Sequence, residues 1–168
     1  SAMQIEPVSR MLLLKERERA VSVLIHFFKA LVKEWRLDLQ KQAETEQGSA
    51  AFRMSTAIHQ QACEHLKPLI KALRRDTLPE DVLVHLVEIV SNMQQREYVR
   101  ANDCYLRLSI GNAPWPIGVT MVGIHERSAH EKITSSSVAH VLNDEISRKW
   151  IQAVKRLMTF CQRLHPPA

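Results

Sequence analysis

Leu24-Ile25-His26-Phe27-Phe28-Lys29-Ala30-Leu31-Val32-Lys33-Glu34-Trp35-Arg36-Leu37-Asp38-Leu39 is the stretch on which the fold turns. Leu24, Phe28, Leu31, Trp35 and Leu39 recur at spacings of three and four, which puts them in one apolar stripe along a helix. The pattern extends outward to predict one long helix over 10–44. Gln47-Gly48-Ser49 stops that helix and offers a fresh N-cap. Residues 50–75 repeat the period with Ala51, Ile58, Ala62, Leu66, Leu69 and Leu73. Pro68 sits inside this second helix and is expected to bend it, because it removes one backbone hydrogen bond.

Thr77-Leu78-Pro79 marks the next start, since proline is tolerated in a first helical turn. Leu83, Leu86, Val87 and Val90 follow at helical spacing, then Tyr98, Ala101, Tyr105 and Leu108. Ser91-Asn92 weakens the pattern and is where this stretch divides into two helices. Asn143 is expected to cap the last helix, with Asp144 and Glu145 in its first turn. Its buried stripe reads Ile146, Trp150, Val154, Leu157, Met158 and Cys161, and His165-Pro166-Pro167 ends it. The fold class is therefore all-α. The architecture is a single-domain bundle of about five helices, with a long loop between the fourth and fifth.

The chain has 168 residues, the usual size of one domain. Its net charge of +5 makes an acidic partner surface plausible without proving nucleic-acid binding. Four glycines, seven prolines and 5% aromatics argue against collagen-like, low-complexity and large β-rich architectures. Cys63, Cys104 and Cys161 are odd in number, far apart and free of any CxxC, which excludes a disulfide framework and fits a reducing compartment. No signal peptide is visible, and Ser1-Ala2-Met3 reads as a cloning scar. Residues 1–9 are thus read as a tag remnant and lead-in, and 10–168 as one helical domain with its loop at 111–142. The longest uncharged run, Leu108 to His125, is broken by Gly111, Pro114, Pro116, Gly118 and Gly123, which makes a poor membrane helix. No heptad seam demands a dimer, so a monomer is expected.

Structureless connections of this length are uncommon in compact domains and are usually functional or disordered. The loop carries Trp115, Ile117, Val119, Met121, Val122 and Ile124, which call for cover, and its Arg127 and Lys132 are balanced by Glu126 and Glu131. Pro114 and Pro116 hold the backbone around Trp115 extended and present the indole rigidly. Two readings stand side by side: a plug that packs on its own helices, or a segment that inserts into a partner.

Residues 111–130, Gly-Asn-Ala-Pro-Trp-Pro-Ile-Gly-Val-Thr-Met-Val-Gly-Ile-His-Glu-Arg-Ser-Ala-His, resemble the signature loop of the pre-mRNA-splicing factor 18 family. The flanks agree: residues 95–103 precede it at the family's spacing, and residues 138–145 with Lys155-Arg156-Leu157-Met158 follow. The resemblance covers about residues 30–165. It implies the family's C-terminal five-helix domain and a spliceosome component acting at the second transesterification, when exons are joined. It further implies association with the U5 small nuclear ribonucleoprotein, binding to a zinc-knuckle second-step splicing factor, and a nuclear location.

On that resemblance, the loop residues facing RNA and the spliceosome core are Asn112, Pro114, Trp115, Pro116, Ile117, Gly118, Val119, Thr120, Met121, Gly123, Ile124, His125 and Arg127. Pre-mRNA and small nuclear RNA would lie near this loop. Candidate docking faces come from charge spacing. Lys67, Lys71 and Arg74 fall at i, i+4 and i+7 beside Arg75, and Arg148, Lys149, Lys155 and Arg156 line the last helix. Either face is read as a solvated surface or as a docking face for an acidic segment or for phosphates.

Enzyme patterns fail on spacing. His125-Glu126-Arg127-Ser128-Ala129-His130 has one residue too many for a zinc-protease helix, which turns the second histidine about 140° away. His59 and Cys63 share a helix face and His65 lies close by, but no further ligand completes a site. Gly111 to Gly118 lacks the Gly-Lys-Ser/Thr end of a phosphate loop. The sequence-level expectation is a non-enzymatic splicing factor with no cofactor, no metal and no membrane contact. The alternative is a helical protein–protein adaptor whose loop is only a self-packing plug.

Overall fold

Among the described residues, 1–110 and 144–167 of a computed structural model, all regular structure is helical. A short 3-10 turn, Ala2–Gln4, leads into α1 (Arg10–Lys15), α2 (Arg17–Glu46), α3 (Ala50–Arg75), α4 (Glu80–Gln94), α5 (Tyr98–Ser109) and α6 (Glu145–Leu164).

The stripe from Leu24 to Leu39 is buried along its whole length, joined by Ala20, Val23 and Phe27. The single helix expected over 10–44 is instead two, because Glu16 leaves helical geometry at φ −140° and ψ 71°. The break lets α1 lean on both α2 and α4, with Leu13 and the preceding Val8 entering the core. Arg10 Nη1, 3.4 Å from Glu88, holds α1 against α4. Lys15-Glu16-Arg17-Glu18-Arg19 consists of good helix formers, so local propensity hides the break.

Gly48, at φ +91°, makes the turn after α2, and Ser49 Oγ caps α3 by accepting from Phe52 N–H at 3.0 Å. α3 runs on through Pro68, burying Ala62, Leu66, Leu69 and Leu73. Ala51, expected in this stripe, is exposed, and Ile58 is half-buried. Asp76 ends the helix in the left-handed region at φ 53°. Its carboxylate accepts a bidentate pair from Arg17 at 2.8 and 3.1 Å, while Arg17 Nη1 reaches Glu80 at 2.6 Å. One guanidinium thus ties the start of α2 to the end of α3 and the start of α4.

α4 is the central helix, with seven buried side chains and contacts to α1, α2, α5 and α6. It continues past the expected boundary at Ser91-Asn92. Asn92 Nδ2 donates to the Glu88 carbonyl at 2.8 Å, so its polarity is satisfied within the helix. The helix stops where Arg96 turns left-handed at φ 59°. α5 then lies antiparallel to α6. Tyr98 Oη donates to the carbonyls of Cys161 and His165, and Lys155 Nζ donates to Asn102 at 2.7 Å.

The cap of α6 is Asp144 rather than Asn143, which lies outside the described residues. Asp144 Oδ1 accepts from Ile146 N–H at 3.0 Å and Oδ2 from Ser147 Oγ at 3.2 Å. Starting the helix there turns Ile146 outward, 55% exposed, and the buried stripe gains Ser147, Ile151, Ala153 and Phe160. α6 packs mainly on α3. Trp35 of α2 stacks on Phe160 of α6 at 5.5 Å and meets His59 of α3 edge-on at 5.1 Å.

Residues 2–8 also pack on the bundle. Ala2 and Val8 are buried, Val8 N–H donates to Gln94, and Ala2 N–H donates to Glu34 Oε1 at 2.8 Å. Glu34 Oε2 meets His165 Nε2 at 3.0 Å. Burial pushes the Glu34 carboxyl up, but the His165 contact and the Ala2 N–H outweigh it and hold the group below its ordinary value. A depressed carboxyl adds stability that is complete above the ordinary carboxylate range and is lost as pH falls through its folded value. Glu34→Gln is therefore expected to cost up to about 1 kcal/mol at neutral pH and almost nothing near pH 3. Urea unfolding of both proteins across that interval measures the gap, and a gap that does not narrow removes Glu34 from the acid response.

Candidate functional site

Two clefts run between helix pairs. In the first, Phe28 and Val32 of α2 face Leu66 and Ile70 of α3 across about 160 Å³, with Lys29 and Lys67 on the rim and Cys63 in the wall. Phe28 and Val32 are one turn apart on α2, as Leu66 and Ile70 are on α3, so each helix lends adjacent side chains to the floor. Burial, and after it the Glu64 carboxylate, pushes the Cys63 thiol up against the opposing pull of Arg36 and Lys67. The thiol stays protonated and acts as packing. His59 Nε2 lies 3.3 Å from the Val32 carbonyl oxygen and 3.6 Å from Cys63 Sγ. Among the described residues no three His, Cys, Asp or Glu side chains gather as a metal site.

The second cleft lies between α5 and α6 and encloses about 300 Å³. Tyr98, Val99 and Asn102 line one side, Lys155, Met158 and Thr159 the other. Lys155 Nζ also lies 5.7 Å from the centre of the Tyr105 ring. This cation is held in place by Asn102 and Tyr105, whereas Lys67 pairs with the exposed Glu64 at 2.9 Å.

The eight basic residues expected to dock a partner belong to two separate faces. Lys67, Lys71, Arg74 and Arg75 are all exposed on α3, with Lys67 at the α2–α3 cleft. Lys149 pairs with Glu145 at 3.6 Å, Arg148 is exposed, Arg156 is half-buried, and Lys155 borders the α5–α6 cleft. Sequence reasoning missed the α2 side of the first cleft. Lys29, Lys33 and Arg36 repeat the i, i+4, i+7 spacing of Lys67, Lys71 and Arg74, which was the available signal.

The loop residues Asn112, Pro114, Trp115, Pro116, Ile117, Gly118, Val119, Thr120, Met121, Gly123, Ile124, His125 and Arg127 lie outside the described residues. What the fold does place is their attachment. Because α5 and α6 run antiparallel, Ile110 and Asp144 sit at the same end of the bundle. No helix among the described residues is long and apolar enough to cross a membrane.

Pre-mRNA-splicing factor 18 of Rattus norvegicus is 47% identical over 146 residues, 87% of this chain and 43% of the relative. The protein of that name from Schizosaccharomyces pombe is 41% identical over 140 residues, 83% of this chain and 41% of its own length. That of Saccharomyces cerevisiae is 48% identical over 97 residues, 56% of this chain and 39% of its own length. The chain thus spans about two fifths of the length of these curated relatives. Residues 25–167, from the heart of α2 to the end of the described chain, match the Prp18 domain, and the chain belongs to that family.

Proposed function

We propose that this chain is the helical module of a pre-mRNA splicing factor that acts at exon joining without catalysing the chemistry itself. The observation that carries the reading is membership of the Prp18 domain family, with relatives named as splicing factors. The 111–130 run, which bears the resemblance, supports it further. In this reading the RNA and its metals perform the second transesterification. The protein holds the exon and the 3′ splice site in reactive alignment, which lowers the barrier by supplying orientation beforehand.

The helices form the rigid body. The α2–α3 cleft with its lysine rim, continued by Lys71, Arg74 and Arg75, receives the zinc-knuckle second-step factor, since paired cations beside an apolar floor favour an acidic segment. Arg148, Lys149, Lys155 and Arg156 face the U5 particle and the spliceosome core. Residues 112–127 approach pre-mRNA and small nuclear RNA. The module works in the nucleus as a monomer.

Nuclear extract depleted of its endogenous factor tests the reading. Lariat intermediate is expected to accumulate in the depleted extract, and addition of this chain is expected to restore joined exons. Restoration of lariat formation instead would assign the first step, and no restoration at any concentration would overturn the reading.

A further inference from the structure

α5 presents an apolar stripe to solvent on the side opposite its buried one. Val99, Leu106 and Ile110 recur at i, i+7 and i+11 with Asp103 between them, so the four share one face. Val99 is 78% exposed, Leu106 46% and Ile110 59%, while Tyr98, Ala101, Cys104 and Leu108 occupy the core side. On α3 and α6 exposed apolar side chains stand singly, Met54 on α3 and Ile146 and Leu164 at opposite ends of α6, among charged and amide side chains such as Glu64, Lys71, Lys149 and Gln152.

Cations flank the stripe on both sides. Arg100 and Arg107 follow Val99 and Leu106 by one residue and lie toward α4, where Arg107 Nη1 is 3.9 Å from Glu88. On the other side Lys155 reaches Asn102 from α6. We propose that this stripe docks an amphipathic helical segment of a protein partner, apolar along one ridge, acidic on both flanks, with a basic residue opposite Asp103. The ridge would bury the three exposed apolar side chains, and the flanks would meet Arg100, Arg107 and Lys155. The central basic residue is required because Asp103 would otherwise be buried unpaired. A nucleic-acid strand fits poorly: the stripe offers no ring for stacking, and Asp103 repels phosphate. The surface is separate from the α2–α3 cleft and shares only Lys155 with the basic face of α6, and its apolar stripe is read without the exon-joining role.

Two designed helical peptides test it, sharing a leucine ridge and a central lysine but flanked by glutamates in one and lysines in the other. Each is titrated into the isotope-labelled chain and followed by amide shifts. The glutamate-flanked peptide is expected to shift residues 99–110 and to bind at least about tenfold tighter than its counterpart. Leu106→Glu is expected to weaken it at least about tenfold with the melting curve unchanged, and Val99→Ser serves if that variant fails to fold. Shifts confined to the α2–α3 cleft, equal binding of both peptides, or no shift at millimolar peptide would each overturn the proposal. So would the same α5 shifts on removal of residues 113–133 alone, which would assign the stripe to the chain's own residues.

Discussion

Deleting residues 113–133 is expected to abolish exon joining in depleted extract while leaving the melting midpoint unchanged or slightly raised. The buried residues of the described chain form one cluster drawn from α1 to α6 and the N-terminal turn, and the deletion removes none of them. Ile110 and Asp144 sit at the same end of the bundle, and twelve residues would remain between them. Extended, those reach about 40 Å, enough to rejoin adjacent helices. Shortening the connection lowers its closure entropy by about 1 kcal/mol, so the midpoint should rise by no more than a few degrees. Joined product should fall at least tenfold below that restored by the intact chain, with lariat intermediate accumulating. Equal rescue by both proteins would place the function on the helical faces. Collapse of the fold would show that the deleted residues belong to the core.

The largest effect on stability is expected from Trp35→Ala. The indole joins three helices, stacked on Phe160 of α6 and edge-on to His59 of α3, with 7% of its surface exposed. Removing a buried tryptophan costs about 3–5 kcal/mol through lost transfer energy and the cavity left behind. For a chain of this length that lowers the midpoint by about 10 °C. It is also a large share of the about 5–15 kcal/mol that holds a typical domain together. Trp35→Phe should recover part of the loss, because a ring can still stack on Phe160. Thermal circular dichroism on all three proteins measures this. A loss below about 1 kcal/mol for Trp35→Ala would mean that α2, α3 and α6 are held together elsewhere.

The helices were legible because their signals are local. Leu24, Phe28, Leu31, Trp35 and Leu39 all reach the core, as do Ala62, Leu66, Leu69 and Leu73, and Ser49 caps α3 as expected. Boundaries were less legible. Ser91-Asn92 looked like an interruption, yet Asn92 bonds to the Glu88 carbonyl, and the stop comes at Arg96, which carries no glycine or proline to announce it. Ile146 fits the apolar period of α6 and is nonetheless exposed. Of the basic rows, those of α3 and α6 were legible from charge spacing, whereas the α2 row was passed over because its residues alternate with a dominant apolar stripe.

By itself the sequence determined the helical class, the core face of each long helix and the family. These follow from a 3.6-residue period and from contiguous motifs, both of which are properties of neighbours along the chain. Only the tertiary structure decided that α1 breaks away at Glu16, that Lys67 and Lys29 share a cleft, and that Val99, Leu106 and Ile110 are left exposed among the described residues. Each depends on which helix packs against which, and that is set by the fit of side-chain surfaces from distant parts of the chain.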